Sequence, residues 1–309
     1  MDELLDRLME DCRPCIQEGK VASYIPELQK ADPQDFGACI LNCDGKLYAA
    51  GEYEKPFTIQ SVVKPLLLLL ALMDNGAEAV QHRVGVEATG KPFDAINVTD
   101  QALLSQHLNP MVNMGAIVMI TMLRGNSYEE RFNRLLAFTR KLACNPTIQL
   151  NEEVYRSEKL TGNKNRSLGY LLKAYGMIQD DVEEVLDCYF KACSLNVTAR
   201  DLAYIGMSLA NHGRLAISGK RVYASEYAYF VNAVLMTCGM YDGSGEFAVR
   251  VGIPSKSGVG GGLLSVVDGR MGIGIYGPSL DAKGNSIAGR KILQFLSSRM
   301  KLHIFAKKD

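Results

Sequence analysis

Ser61 and Lys64 stand three residues apart in Ser61-Val62-Val63-Lys64, just ahead of an apolar run from Leu66 to Met73 that closes on Asp74-Asn75-Gly76. Residues i and i+3 share a helix face, so the Lys64 amine is placed to reach the Ser61 hydroxyl. A neutral lysine beside a serine is a base beside a nucleophile. A helix N-terminus favours an oxyanion and disfavours an ammonium ion. Burial against leucines lowers the lysine pKa further. The bland reading is a serine and a lysine that merely begin a helix, and Ser-x-x-Lys alone does not choose between the two.

Three other stretches are rich in polar groups. Asn113 lies in Asn109-Pro110-Met111-Val112-Asn113-Met114-Gly115, just before an apolar segment, where a helix cap is the ordinary reading. Ser157-Glu158 through Gly162-Asn163-Lys164-Asn165 reads on its own as a solvated loop. Lys256-Ser257-Gly258-Val259-Gly260-Gly261-Gly262 precedes an apolar strand, and its glycines let backbone approach a substrate. It lacks the Gly-Lys-Ser/Thr ending and the following helix of a phosphate-binding loop.

The elements that must position these residues follow from pattern. The leucine-rich run predicts a buried helix that starts close to Ser61, since Pro65 fits only the first turn. Eight apolar residues cannot span a bilayer. Residues 2–18 read as an amphipathic helix, and residues 37–43 and 47–50 flank Asp44-Gly45 as a hairpin. From 66 to 210 the pattern is mostly helical, broken by connectors at Gly90-Lys91-Pro92, Asn109-Pro110, Asn145-Pro146 and Gly162-Asn163. Helices are expected over Met114–Leu123, Tyr128–Leu142, Asp181–Ala192, Ala199–Ala210 and Ile287–Met300. Phe247–Ile253, Gly262–Val267 and Met271–Tyr276 read as strands. The architecture expected is one domain over 1–309, with a discontinuous α/β lobe (about 1–60 and 215–309) and a helical lobe (about 61–214). The sheet is mainly antiparallel and flanked by the terminal helices. The active site falls in the cleft between the lobes.

Composition bounds the function. With 34 basic and 34 acidic residues the formal charge is zero, and no basic run interleaves with aromatics, so neither nucleic acid nor a membrane surface is an expected partner. The opening MDELLDRLMEDC lacks the layout of a signal peptide, and a cytoplasmic location is expected. The eight cysteines are expected to be free thiols. Cys12 and Cys15 form a C-x-x-C, but no strand precedes them as in a thioredoxin-like unit, and four histidines with no second C-x-x-C argue against zinc.

Ser-x-x-Lys at a helix start, an Asn-bearing segment in the helical lobe and Lys-Ser-Gly before a strand occur in the order found in penicillin-recognising serine acylases. A closer resemblance is to the serine-dependent glutaminase family. It is carried by Tyr24-Ile25-Pro26-Glu27-Leu28, Ser61-Val62-Val63-Lys64-Pro65, Pro110-Met111-Val112-Asn113-Met114-Gly115-Ala116-Ile117, Ser157-Glu158 with Asn165, Tyr189 ahead of Cys193-Ser194, Gly239-Met240-Tyr241-Asp242 and Lys256-Ser257-Gly258-Val259. One departure is Met114, where members often have alanine; it bears on pocket shape or helix packing.

The resemblance implies a β-lactamase/transpeptidase-like α/β fold and a linear-amide hydrolase that turns L-glutamine into L-glutamate and ammonia through a glutamyl-serine ester. It implies no cofactor and no metal, and a homo-oligomer, dimer or tetramer. The catalytic set it implies is Ser61, Lys64 and Tyr241. The substrate-binding set is Ser61, Asn113, Glu158, Asn165, Tyr189, Tyr241 and the backbone of Val259. Tyr24, Gln60 and Lys256 are secondary candidates. Two other readings are a β-lactamase or cell-wall peptidase, which would need export, and a non-catalytic amino-acid-binding module, against which Ser61, Lys64 and Tyr241 argue.

Overall fold

The two ends of the chain build one sheet, and the middle builds most of the helices. In the computed structural model, which describes residues 1–90, 92, 94–95 and 108–307, the strands are β1 (Gly37–Asn42), β2 (Leu47–Gly51), β3 (Phe57–Thr58), β4 (Asn196–Val197), β5 (Ser255–Ser257), β6 (Gly262–Val267) and β7 (Met271–Tyr276). Five of them form a sheet in the order β2-β1-β7-β6-β5, antiparallel throughout, and β3 with β4 forms a separate short ribbon. The Asp44-Gly45 turn closes the β1–β2 hairpin as expected, with Gly45 at φ +79°.

The helices of the described residues are α1 (Asp2–Cys12), α2 (Lys64–Asn75), α3 (Ala77–Arg83), α4 (Asn113–Met122), α5 (Tyr128–Leu142), α6 (Glu152–Thr161), α7 (Asn163–Ala174), α8 (Val182–Cys193), α9 (Ala199–Ala210), α10 (Ser225–Cys238), α11 (Ser244–Arg250) and α12 (Ile287–Met300). Lys91 of the expected Gly90-Lys91-Pro92 connector lies outside the described residues. α1 stops at Cys12, earlier than expected, and a 3-10 turn over Arg13–Glu18 follows with Pro14 in its first turn.

Alternation along the strands splits the apolar side chains between two faces. Ala38, Ile40, Leu263, Ile273 and Ile275 pack with Leu5 and Leu8 of α1 and Ile292, Leu293 and Leu296 of α12. Cys39, Leu41, Leu264, Val266 and Tyr276 belong to the core of the helical region, where Leu66–Leu72 of α2 are buried on every side. α9, expected among the helices of the middle, lies directly on this second face. A Cβ at Gly272 would come 2.1 Å from the Met207 N and one at Gly274 1.9 Å from the Ala199 O. The glycines of Met271-Gly272-Ile273-Gly274 thus admit helix backbone against strand backbone.

Two expectations are overturned. Phe247–Ile253 is not a strand: Ser244–Arg250 is helical. Phe247 and Val251 are both buried while Val249 is 80% exposed, the i, i+4 spacing of a helix and not the i, i+2 of a half-buried strand. The polar stretch around Glu158 is not a loop. It is the α6–α7 corner, capped by Asn151, whose Oδ1 accepts from the Val154 N–H at 3.0 Å. Val154 and Glu158, four residues apart, both face inward.

Candidate active site

Ser61 sits in a 3-10 turn, Gln60–Val63, that runs straight into α2 at Lys64, with Pro65 in the first turn. Gln60 takes φ +47°, a left-handed conformation that only tight surroundings sustain in a non-glycine residue. Those surroundings are the Gly258–Gly261 turn between β5 and β6. A Cβ on Gly258 would fall 3.0 Å from the Ile59 O, and one on Gly260 2.4 Å from the Thr58 O. Glycine here lets the turn carrying Val259 lie against the backbone carrying Ser61. Lys256 and Ser257 belong to β5 itself, not to the turn before a strand.

Lys64 is completely buried. Its Nζ donates to the Asn113 Oδ1 at 2.7 Å and to the Met111 O at 3.1 Å. Burial brings its pKa down to about 8, against the smaller pull of Cys193, Asp94 and Glu158. Asn113 is not a cap: Val112 occupies that position and Asn113 opens α4. Its amide instead spends both ends across the cleft, donating to the Asn165 Oδ1 at 2.9 Å and accepting from Lys64 and from the Tyr189 hydroxyl at 3.4 Å. The Tyr189 hydroxyl and the Cys193 thiol are hydrogen-bonded, and burial keeps both protonated.

Glu158 is 4% exposed, and its Oε2 is buried without a hydrogen-bond partner among the described residues. Burial pushes its pKa up to about 8, opposed by a hydrogen bond from Gln60 and by the charge of Lys64. A buried carboxylate oxygen with nothing to accept is costly unless a cationic group meets it.

Tyr24, Gln60, Ser61, Asn113, Glu158, Asn165 and Tyr189 line one cleft. Tyr24 stands at its rim, 55% exposed. Asp94 and Lys164, ion-paired at 2.5 Å, and Cys193 line the same cleft and were not among the expected site residues. Lys164 and Cys193 lie inside the polar and apolar motifs quoted above; Asp94 carries no local signal.

Tyr241 and Val259 do not line that cleft. They pack together behind it with Ile25, Leu28, Val154 and Leu280. Burial raises the Tyr241 hydroxyl pKa, and the neighbouring Ser61 and Ser257 side chains work the other way. Tyr241 also takes a left-handed backbone, φ +56°. Lys256, fully buried, places its Nζ 4.4 Å from the centre of the Tyr241 ring and donates to the Ser257 O at 2.6 Å and the Gly239 O at 3.1 Å. Burial and the charge of Lys64 push the Lys256 pKa well down. The cleft thus presents Ser61, backed by two buried lysines and Tyr241, on one side, and on the other a buried carboxyl whose Oε2 has no partner among the described residues, beside neutral amides. No cluster of metal-ligating side chains occurs among the described residues. Cys12 and Cys15 are free thiols, and burial pushes Cys12 up to about 12, which makes it a poor nucleophile.

An antiparallel sheet flanked by helices is the β-lactamase-like arrangement found among amide hydrolases. Comparison with known proteins narrows the class. The glutaminase family profile matches residues 19–305. A glutaminase of Clostridium tetani is 52% identical over 305 residues, covering 99% of this chain and 100% of that protein. A glutaminase of Clostridioides difficile is 49% identical over 306 residues, covering 99% of each. A solved structure described as a probable glutaminase from Bacillus subtilis complexed with 6-diazo-5-oxo-L-norleucine superposes with a TM-score of 0.90 at 36% identity, over 98% of this chain and 96% of that one. The chain belongs to the glutaminase family and is an enzyme that hydrolyses L-glutamine to L-glutamate and ammonia. No described helix is long and apolar enough to cross a membrane.

Proposed function

We propose that Ser61 is the nucleophile of this glutaminase and that Lys64 takes its proton. Ser61 attacks the side-chain amide carbon, and the tetrahedral oxyanion is held by the backbone N–H groups of Ser61 and Val259. Tyr241 carries a proton to the departing nitrogen, ammonia leaves, and water cleaves the glutamyl-serine ester. Glu158 pairs with the substrate ammonium, while Asn113, Asn165 and Tyr189 hydrogen-bond its carboxylate and amide without adding charge. Tyr24, Gln60 and Lys256 assist from the rim, from beside Glu158 and from behind Tyr241. The reaction as written uses no cofactor.

The observation that carries this reading is the buried Glu158 Oε2, without a partner among the described residues, in the same cleft as Ser61. It suits a free amino acid better than a β-lactam or a peptide, neither of which need bring an ammonium group. The Bacillus subtilis glutaminase forms a covalent complex with 5-oxo-L-norleucine on reaction with 6-diazo-5-oxo-L-norleucine. The same reagent should label this chain once, at Ser61, as read by peptide mass mapping. Labelling elsewhere, or full labelling of Ser61→Ala, overturns the assignment.

The free thiols suit a reducing compartment, which supports a cytoplasmic enzyme. A homo-oligomer, dimer or tetramer, is supported by exposed Tyr229 and Ile304 lining one apolar cavity. Sedimentation at micromolar concentration tests it, and a monomer there counts against it.

A further inference from the structure

We propose that Asp281 is a positioning residue for Tyr241 and Val259, acting through the loop it organises ahead of α12. The inference rests on the reading that Tyr241 and Val259 serve Ser61.

The loop touches both residues. Leu280 packs in the same apolar cluster as Tyr241 and Val259. Gly284 lies so close that an added Cβ would sit 3.4 Å from the Val259 Cγ1 and 3.6 Å from the Tyr241 Cε2. Lys283 reaches past them, its Nζ donating to the Asp242 O at 3.4 Å. One loop therefore backs the tyrosine ring and the side chain of the residue whose N–H is to meet the oxyanion.

Asp281 holds that loop in shape. Its Oδ1 accepts from the Lys283 N–H at 2.9 Å and the Asn285 N–H at 3.0 Å. Its own N–H donates to the Asn285 O at 2.9 Å, and its carbonyl accepts from the Gly284 N–H at 3.0 Å. Its Oδ2 accepts from the Arg290 Nη1 of α12 at 2.6 Å. Five bonds to one residue fix a turn in which Gly284 takes φ +89°, a conformation that needs glycine. Asn285 behind it is 1% exposed. Local polar bonding of this density, in a segment that makes no strand or helix, is what a rigid support requires.

Tyr241 takes a strained backbone, so it needs holding from outside its own turn. From the front it is met by Ser61 and Ser257, and from one face by Lys256. The Asp281 loop borders the ring edge, where a Cβ added at Gly284 would lie 3.6 Å from Cε2 and 4.0 Å from Cδ2, so little room separates loop and ring. A loop that loses its shape opens that side and lets the hydroxyl drift, and a displacement of about 1 Å can cost up to about 10²-fold.

The test measures turnover and L-glutamate binding in Asp281→Ala, Asp281→Asn, Gly284→Ala and Tyr241→Phe. Asp281→Ala should lower kcat at least about tenfold and leave the dissociation constant of L-glutamate within about twofold, because no loop residue lines the substrate cleft. Asp281→Asn keeps an acceptor for both N–H groups and should recover most of kcat. Gly284→Ala leaves the ion pair alone and should lower kcat by the same route, which decides the matter if Asp281→Ala fails to fold. Normal turnover in a folded Asp281→Ala beside a crippled Tyr241→Phe overturns the role of the loop alone. Full turnover in Tyr241→Phe overturns the role of Tyr241 and this inference with it. Parallel losses of kcat, glutamate binding and melting temperature in all three loop variants mark a merely structural loop and overturn it too.

Discussion

Lys64 and Asn113 meet through a 2.7 Å hydrogen bond in which the buried amine donates to the Asn113 Oδ1. This bond fixes the lysine between α2 and α4, and through the Asn113 amide it also fixes Asn165. A neutral acceptor here leaves the lysine free to lose its proton, as a carboxylate would not. Asn113→Asp should therefore raise the Lys64 pKa and move the basic activation of kcat/KM to higher pH by about one unit. An unmoved pH profile in a folded Asn113→Asp would show that Lys64 does not set it.

The Lys64 pKa of about 8 gives the sign of the wild-type profile. The neutral amine, the form that can take a proton, grows as pH rises through that value. The carboxylate form of Glu158 grows over the same range. kcat/KM should rise from about pH 6.5 to 9, and one limb should survive in Glu158→Gln if Lys64 is the base. Lys64→Ala should cost at least about 10²-fold, and Lys64→Arg should not rescue it, since guanidinium stays protonated. A flat profile with chemistry limiting rules the lysine out.

Glu158 should read the substrate ammonium group. Asparagine, one methylene shorter and anchored at the same end, leaves its amide carbon short of Ser61. N-acetyl-glutamine brings no cation to the partnerless Oε2. Both should fall at least about 10²-fold below glutamine in kcat/KM, and Glu158→Gln should shrink the gap by weakening glutamine. Equal hydrolysis of N-acetyl-glutamine by the wild type sinks the assignment.

The same carboxyl should limit stability. Its folded pKa, about 8, lies above the ordinary 4.5. Its favourable contribution is complete below the unfolded value and is lost as pH rises through the folded one. Glu158→Gln removes that titration, so the mutant should melt higher than wild type, by more at about pH 8.5 than at about pH 5. Scanning calorimetry without ligand measures it. An advantage that shrinks with rising pH contradicts the buried, charge-averse carboxyl.

What the chain made legible follows from range. α5, α9 and α12 have the expected bounds because apolar periodicity and a hydroxyl cap coincide at Ser127, Thr198 and Ser286. Phe247–Ile253 misleads because the helix it overlaps, Ser244–Arg250, has only seven residues, too few turns for its period to stand out. Glu158 reads as solvated because α6 is charged on most of its surface, and one carboxyl at an inward position leaves no mark in composition. The Ser61–Lys64 pairing is local and is readable from spacing. The bonds from Lys64 to Met111 and Asn113 join distant parts of the chain, and only the resemblance placed those residues together before the fold did.

The seating of α9 on β7 has a consequence for how variation in this chain should be scored. Every codon change that gives Gly272 or Gly274 a side chain drives it into the α9 backbone, far from the chemistry. A saturation library selected for growth on glutamine as nitrogen source should show two intolerant patches of similar depth, one around Ser61 and one in Met271–Tyr276. Variants of the first should accumulate as folded, idle protein, and those of the second should vanish from the lysate. Abundance, read alongside growth, separates the two, and the second patch maps the scaffold that the first depends on.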